Sequence, residues 1–202
     1  MTGRTIQTDE VRAFFDRYAP SWDKNEIRNE AVISTILDNA GIGKDSRVLD
    51  VACGTGVLIP DYLKREAAAV TAIDLSPEMI RIAKSKFSEK NVTFLCGDAM
   101  ETEMGRDFDA IVIYNALPHF VDPEGLIARL STLLGKGGIL TVAHGMSRER
   151  INACHTGSAE HVSSGLMEAE TLAKLFSSVL QVTTLISNDD MYQVAGRKRP
   201  FT

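Results

Sequence analysis

The sequence predicts an α/β fold built on a mostly parallel sheet. Three observations lead there. Short β-branched and aliphatic runs alternate with helix-like segments through the middle of the chain, as βα units with crossover helices require. The first run passes into a loop with alternate glycines, Gly54 and Gly56. Acids accompany the ends of the first three runs: Asp50, Asp74 and Asp98. In a parallel sheet those ends share one edge, so the carboxylates gather there.

Thr8 to Tyr18 reads as a helix with Thr8 or Asp9 as N-cap. Val11, Phe14, Phe15 and Tyr18 recur on one face. Ala19-Pro20-Ser21 ends this helix, and Trp22 follows. The aromatics dock the helix, and Tyr18 and Trp22 are placed to close over a ligand. A second helix, about Asn29 to Asn39, stops at Ala40-Gly41-Ile42-Gly43. Arg47–Val51 is the first strand and Gly56–Lys64 its helix. Val70–Ile73 is the second strand, ending at Asp74. Ser76 as N-cap, Pro77 at N1 and Glu78 open a helix to about Phe87. Val92–Leu95 is the third strand, before Gly97-Asp98-Ala99. Phe108–Tyr114 is the fourth, followed by a helix over Pro123–Leu134. Gly135-Lys136-Gly137-Gly138 turns into the fifth strand, Ile139–Ala143.

The alternation lapses between His144 and Gly165. Ser147–Thr156 suits a short helix, and Gly157–Gly165 is rich in Ser, Gly and His. Placed after a strand end, this segment would cover the ligand edge of the sheet. Glu168–Ser177 resumes as helix. Val179–Ile186 and Met191–Arg197 read as strands, joined by Ser187-Asn188-Asp189-Asp190. That connection is too short for a crossover, so the last two strands form an antiparallel hairpin.

The 202 residues suit one domain with a sizeable core. A net charge of −5 argues against nucleic-acid or anionic-membrane partners. No apolar run is long enough to span a bilayer. No secretory signal follows Met1. Three cysteines without paired spacing suggest a reducing compartment, and a cytoplasmic protein is expected. Cys154, His155 and His161 match no zinc spacing, so no metal site is expected.

Chemistry concentrates around the glycine loop. Gly54 and Gly56 permit positive φ and close approach of a ligand. Asp50 beside the loop would repel a pyrophosphate, so the ligand there is neutral or cationic. Asp50 would suit an ammonium or help to order the loop. Asp74 follows the loop by about 20 residues, where a carboxylate can accept both ribose hydroxyls of an adenosine. Asp98 is placed to meet an adenine amino group. Leu75, Ala99 and Met100 can sandwich the ring.

Together these residues resemble the class I S-adenosylmethionine (SAM)-dependent methyltransferases. Asp50-Val51-Ala52-Cys53-Gly54-Thr55-Gly56 matches the D-x-[GA]-x-G-x-G loop, with Ala52 at the first small position. Asp74 matches the ribose acid and Gly97-Asp98-Ala99 the adenine motif. Phe108-Asp109-Ala110-Ile111-Val112 and Leu134-Gly135-Lys136-Gly137-Gly138 match the family's later motifs. Phe14-Phe15-Asp16 through Trp22-Asp23 is similar to the lid of its small-molecule branch.

The resemblance implies a three-layer Rossmann-like sandwich, a seven-stranded sheet with an antiparallel C-terminal strand, and SAM as cofactor. One domain over 1–202 then divides into a helical lid (1–43), a SAM-binding core (44–145), a substrate-side cap (146–166), and a helix with the C-terminal hairpin (167–202). Asn115, after strand four, should lie near the methionine end of SAM. His119 and His144 are the candidate general bases. Adenine amino-methylation would need a Pro-Pro-aromatic turn after strand four, and cytosine methylation a cysteine there; Asn115-Ala116-Leu117-Pro118 supplies neither. The expected activity is in-line methyl transfer to a small-molecule acceptor by a monomer or homodimer. The alternatives are a protein or RNA acceptor, or a SAM-binding protein without transfer.

Overall fold

A computed structural model describes residues 6–25, 27–154 and 157–199. The strands are β1 (Arg47–Val51), β2 (Ala69–Asp74), β3 (Val92–Cys96), β4 (Phe108–Tyr114), β5 (Leu134–His144), β6 (Gln181–Ser187) and β7 (Tyr192–Arg197). They form one sheet in the order β3-β2-β1-β4-β5-β7-β6. The pairs from β3 through β5 are parallel, and β7 is antiparallel to both β5 and β6. The chain steps outward from β1 to β3, then returns to the other side of β1 as β4. That reversal is the switch point at which open α/β sheets bind ligands.

The helices are α1 (Thr8–Tyr18), α2 (Glu30–Asn39), α3 (Ile59–Lys64), α4 (Pro77–Lys86), α5 (Pro123–Leu133), α6 (Arg148–Cys154) and α7 (Ala169–Val179). Side chains alternate between the faces of each strand. Val48, Ala110 and Val112 therefore pack with Ile33, Leu37 and Tyr62 of α2 and α3. Leu49, Val51, Ile111 and Ile113 pack with Leu126 and Leu130 of α5 and with Leu172 and Phe176 of α7. Two apolar cores enclose the sheet, giving three layers.

Most boundaries agree with the pattern, and the exceptions have local causes. Helix α1 starts after Gln7, whose side chain makes no cap bond; neither Thr8 nor Asp9 is the cap. Asn29, Ser76 and Asp122 each accept a backbone N–H as N-caps. Helix α3 begins at Ile59 rather than Gly56, because Gly54 and Gly56 hold φ of +55° and +88°, outside the helical region. Strand β5 begins at Leu134 rather than Ile139. Leu134 pairs with Phe108 and Ile139 with Ala110, so the glycine turn sits inside the strand as an irregularity in register. The expected helix after β5 is shorter, Arg148–Cys154; Thr156 lies outside the described residues.

Candidate active site

The loop after β1 is shaped by backbone conformation and held by β2. Ala52 and Gly54 both take positive φ. The Gly54 N–H donates to Asp74 Oδ2 at 2.8 Å, and the Ser76 N–H donates to Oδ1 at 2.9 Å. Burial pushes the Asp74 carboxyl up to about 6; these two N–H donors oppose the rise, and nearby Asp16 adds to it. On the next strand end, Asp98 Oδ1 accepts the Met100 N–H at 2.8 Å and so folds the loop through Ala99. Arg129 supports the same loop from α5, donating to the Ala99 and Thr102 carbonyls at 2.9 and 2.8 Å.

The N-terminal segment docks across this edge by three polar anchors. Asp16 of α1 accepts from the Ser76 hydroxyl at 2.5 Å and the Glu78 N–H at 3.3 Å, at the start of α4. Asp23 accepts from the Thr55 hydroxyl and from Lys86 Nζ, the latter at 2.8 Å. Burial would raise the Asp23 carboxyl, but these hydrogen bonds hold it below its ordinary value. Arg28 donates to the Val57 carbonyl at 2.7 Å and pairs with Asp61 at 2.5 Å. The apolar contact is Phe15, whose ring lies 5.4 Å from Trp22 and 4.9 Å from His119.

The loop after β4 joins this N-terminal segment to the segment after β5. His119 Nδ1 donates to the Val162 carbonyl at 2.7 Å, a bond that fixes the proton on Nδ1. The Ser164 N–H donates to the Pro118 carbonyl at 2.9 Å. Asn115, at φ +55°, accepts the Gly145 N–H at 3.0 Å. Gly145 leaves room for the Tyr114 hydroxyl, which an added Cβ would meet at 2.3 Å.

These elements enclose a cavity of about 480 Å³ at the switch point. Of the residues expected at the site, Trp22, Ala52, Gly54, Asp74, Leu75, Asp98, Ala99, Met100, Asn115 and His119 line it. Four others do not. Asp50 shares the strand face of Val48 and lies under α3, 1% exposed. Its Oδ2 and the neighbouring Tyr62 hydroxyl are both buried. Burial first, and the Asp74 charge second, push Asp50 up to about 8, while Tyr62 acts the other way. Gly56 is buried against Phe87, where an added Cβ would fall 2.7 Å from Cε2. Tyr18 is half-buried and meets the Phe14 ring at 4.6 Å in a tilted contact. His144 is fully buried and packs edge-on against Tyr192, its partner across β5 and β7.

The cavity also recruits residues that sequence reasoning did not select, notably Phe15, Ile27, Val121, Met146, Ile151 and Cys154. Phe15 belonged to the apolar face of α1, which packing alone explains. Ile151 and Cys154 are three apart on α6, a spacing that signals a helix face and no chemistry. His155 lies outside the described residues. Among the described residues, no group of three His, Cys, Asp or Glu side chains is arranged to hold a metal.

A family model described as a methyltransferase domain matches residues 48–138, from β1 to the glycine turn of β5. Over that segment the chain is similar to SAM-dependent methyltransferases. It is 35% identical over 133 residues to malonyl-[acyl-carrier protein] O-methyltransferase of Acetivibrio thermocellus, covering 64% of this chain and 47% of that one. It is 37% identical over 120 residues to ubiquinone biosynthesis O-methyltransferase of Xanthomonas axonopodis pv. citri, covering 57% and 48%. The chain thus spans about half the length of these curated relatives. The fold is similar to that of the N-methyltransferase NodS from Bradyrhizobium japonicum, crystallised with S-adenosylhomocysteine (SAH). That match has a TM-score of 0.72 at 17% identity and covers 95% and 100% of the two chains.

The residues of this site fit SAM, the cofactor of the methyltransferases that the chain resembles. A positive-φ loop opens the floor of the cavity. Two carboxylates, Asp74 and Asp98, line one end beside the apolar Leu75, Ala99 and Met100. The volume lies within the range of small-molecule pockets.

Proposed function

We propose that this chain is a methyltransferase that uses SAM to methylate a small-molecule acceptor. The observation that supports it most is one continuous cavity with two chemically distinct ends. Asp74 and Asp98 mark one end, and Val121, Met146, Ile151 and Cys154 mark the other. In this reading Asp74 accepts the ribose hydroxyls through the lone pairs its two backbone donors leave available. Asp98 faces the adenine amino group, and Leu75, Ala99 and Met100 sandwich the ring. Ala52, Gly54 and Asn115 line the methionine end, with Trp22 closing above it.

SAM bound there supplies a methyl group activated by the positive charge on sulfur. The protein aligns the acceptor with that methyl and excludes water. The lid anchors at Asp16 and Asp23 and the His119–Val162 bond hold the enclosure together. With its proton fixed on Nδ1, His119 can accept an acceptor proton at Nε2. The free Cys53, Cys96 and Cys154 suit a reducing, cytoplasmic setting.

The test is incubation of the purified protein with methyl-labelled SAM and separated metabolite, protein and RNA fractions. Label is expected in a low-mass product. Label confined to protein or RNA overturns the small-molecule assignment. Calorimetric binding of SAH without transfer to any fraction points to a SAM-binding protein.

A further inference from the structure

The mouth of the cavity is unusually apolar. Among the described residues, the exposed large apolar side chains are Trp22, Ile27, Val121 and Leu185. Three of these, Trp22 (38% exposed), Ile27 (66%) and Val121 (50%), line the same cavity. Isolated exposed apolar residues need no explanation, but their convergence on one opening marks a binding surface. They come from the lid segment and from the loop after β4, so no single amphipathic helix accounts for them.

The charge of the lining is one-sided. Among the described residues no lysine or arginine lines the cavity, whereas Asp74, Asp98 and Asp122 do. Four nearby cations are engaged elsewhere. Arg28 is held by Asp61 and the Val57 carbonyl. Arg129 is held by the Ala99 and Thr102 carbonyls. Arg148 is held by Glu168 and the Leu166 carbonyl. Lys86 is held by Asp23. With Asp74 and Asp98 given to the cofactor end, the acid beside the acceptor is Asp122, and no lysine or arginine of the lining, among the described residues, offers an anionic acceptor a counter-charge for its lost hydration.

We infer that the acceptor is an uncharged or cationic molecule with an extended apolar body. The body lies across Trp22, Ile27 and Val121, and the reacting end enters beneath the lid. This inference rests on the methyltransferase reading and narrows its substrate class.

Trp22 is the only tryptophan of the chain, so its fluorescence reports binding at the mouth. The test titrates 4-hexylphenol, 4-hexylbenzylamine and 4-hexylbenzoate, with their 4-ethyl homologues, into protein with and without SAH. The phenol and the amine should bind about tenfold or more tighter than the benzoate. Shortening hexyl to ethyl should weaken binding about tenfold or more, from the loss of four buried methylenes. Val121→Lys, at a half-exposed position, should raise benzoate affinity and lower benzylamine affinity. Equal affinity of benzoate and phenol, no dependence on chain length, or no response to Val121→Lys overturns the inference. SAH binding is measured separately by calorimetry. Its failure overturns the methyltransferase reading, whereas SAH binding with benzoate preferred overturns this inference alone.

Discussion

The Gly54 N–H and the Asp74 carboxylate are joined at 2.8 Å, across the end of the β1–β2 pair. The other Asp74 oxygen receives the Ser76 N–H. One acid therefore shapes the glycine loop, starts α4 and lines the cavity at once.

Asp74→Asn tests this threefold role. Asparagine keeps one acceptor oxygen but turns an NH₂ toward one of two backbone donors. It also removes the charge offered to ribose hydroxyls. Charged hydrogen bonds contribute about 1.5–3 kcal/mol, so SAH affinity should fall about 10- to 100-fold by calorimetry. The melting temperature should fall as well, because two backbone donors share a poorer partner. Unchanged SAH affinity would contradict the placement of the adenosine end.

Asp23→Ala separates lid docking from folding. Asp23 lies on the surface turn after α1, and its bonds reach Thr55 in the loop and Lys86 on α4. Removing them should raise amide exchange across residues 19–25 and weaken SAH binding about three- to thirtyfold. Global stability should change little, since surface ion pairs contribute little. A large drop in melting temperature with normal SAH affinity would show that the anchor serves the fold.

His119 has a positioning bond through Nδ1 and, in the proposed mechanism, a chemical role through Nε2. His119→Ala should lower kcat about 100-fold or more if the acceptor proton leaves in the transition state. Added imidazole should restore part of that loss, since a small base can enter the vacated space. His119→Asn, which keeps a donor for the Val162 carbonyl, should keep KM near normal and remain slow. Full activity in His119→Asn would reduce the residue to a link between loop and cap.

The sheet was legible because its signals are local. The short β-branched and aliphatic runs of β1, β2 and β4, the cap at Ser76, and the short connection before Tyr192 each mark an element without its neighbours. The donor end was legible for the same reason, since Gly54, Asp74 and Asp98 sit at strand ends that topology brings to one edge. The acceptor end was not. Ile27, Val121, Met146 and Cys154 come from four segments, and tertiary packing alone makes them neighbours. Alternation also bears on Asp50: its strand parity puts it with Val48, beneath Tyr62, and not on the cavity. His144 at the end of β5 is likewise turned into the packing against Tyr192.

Asp50 provides the clearest pH prediction. Its carboxyl is raised to about 8 by burial and by Asp74, from an unfolded value of 3.8. A raised acid stays protonated in the folded protein while the unfolded chain ionises. Its contribution to stability is thus fully present below about pH 4, declines as pH rises, and is lost once pH passes about 8. Asp74, raised to about 6, adds a decline of the same sign that ends earlier. Asp50→Asn removes the first of these while keeping the shape of the side chain. The variant should match the wild type near pH 4 and exceed it at pH 8. The relief of a buried unpaired charge, about 1–3 kcal/mol, corresponds to a rise in melting temperature of at least about 2–4 °C. Thermal melts of both proteins from pH 4 to 8 check it. A variant that loses stability at pH 8 would show instead that an ionised Asp50 is held by the fold, through Tyr62 or the glycine loop.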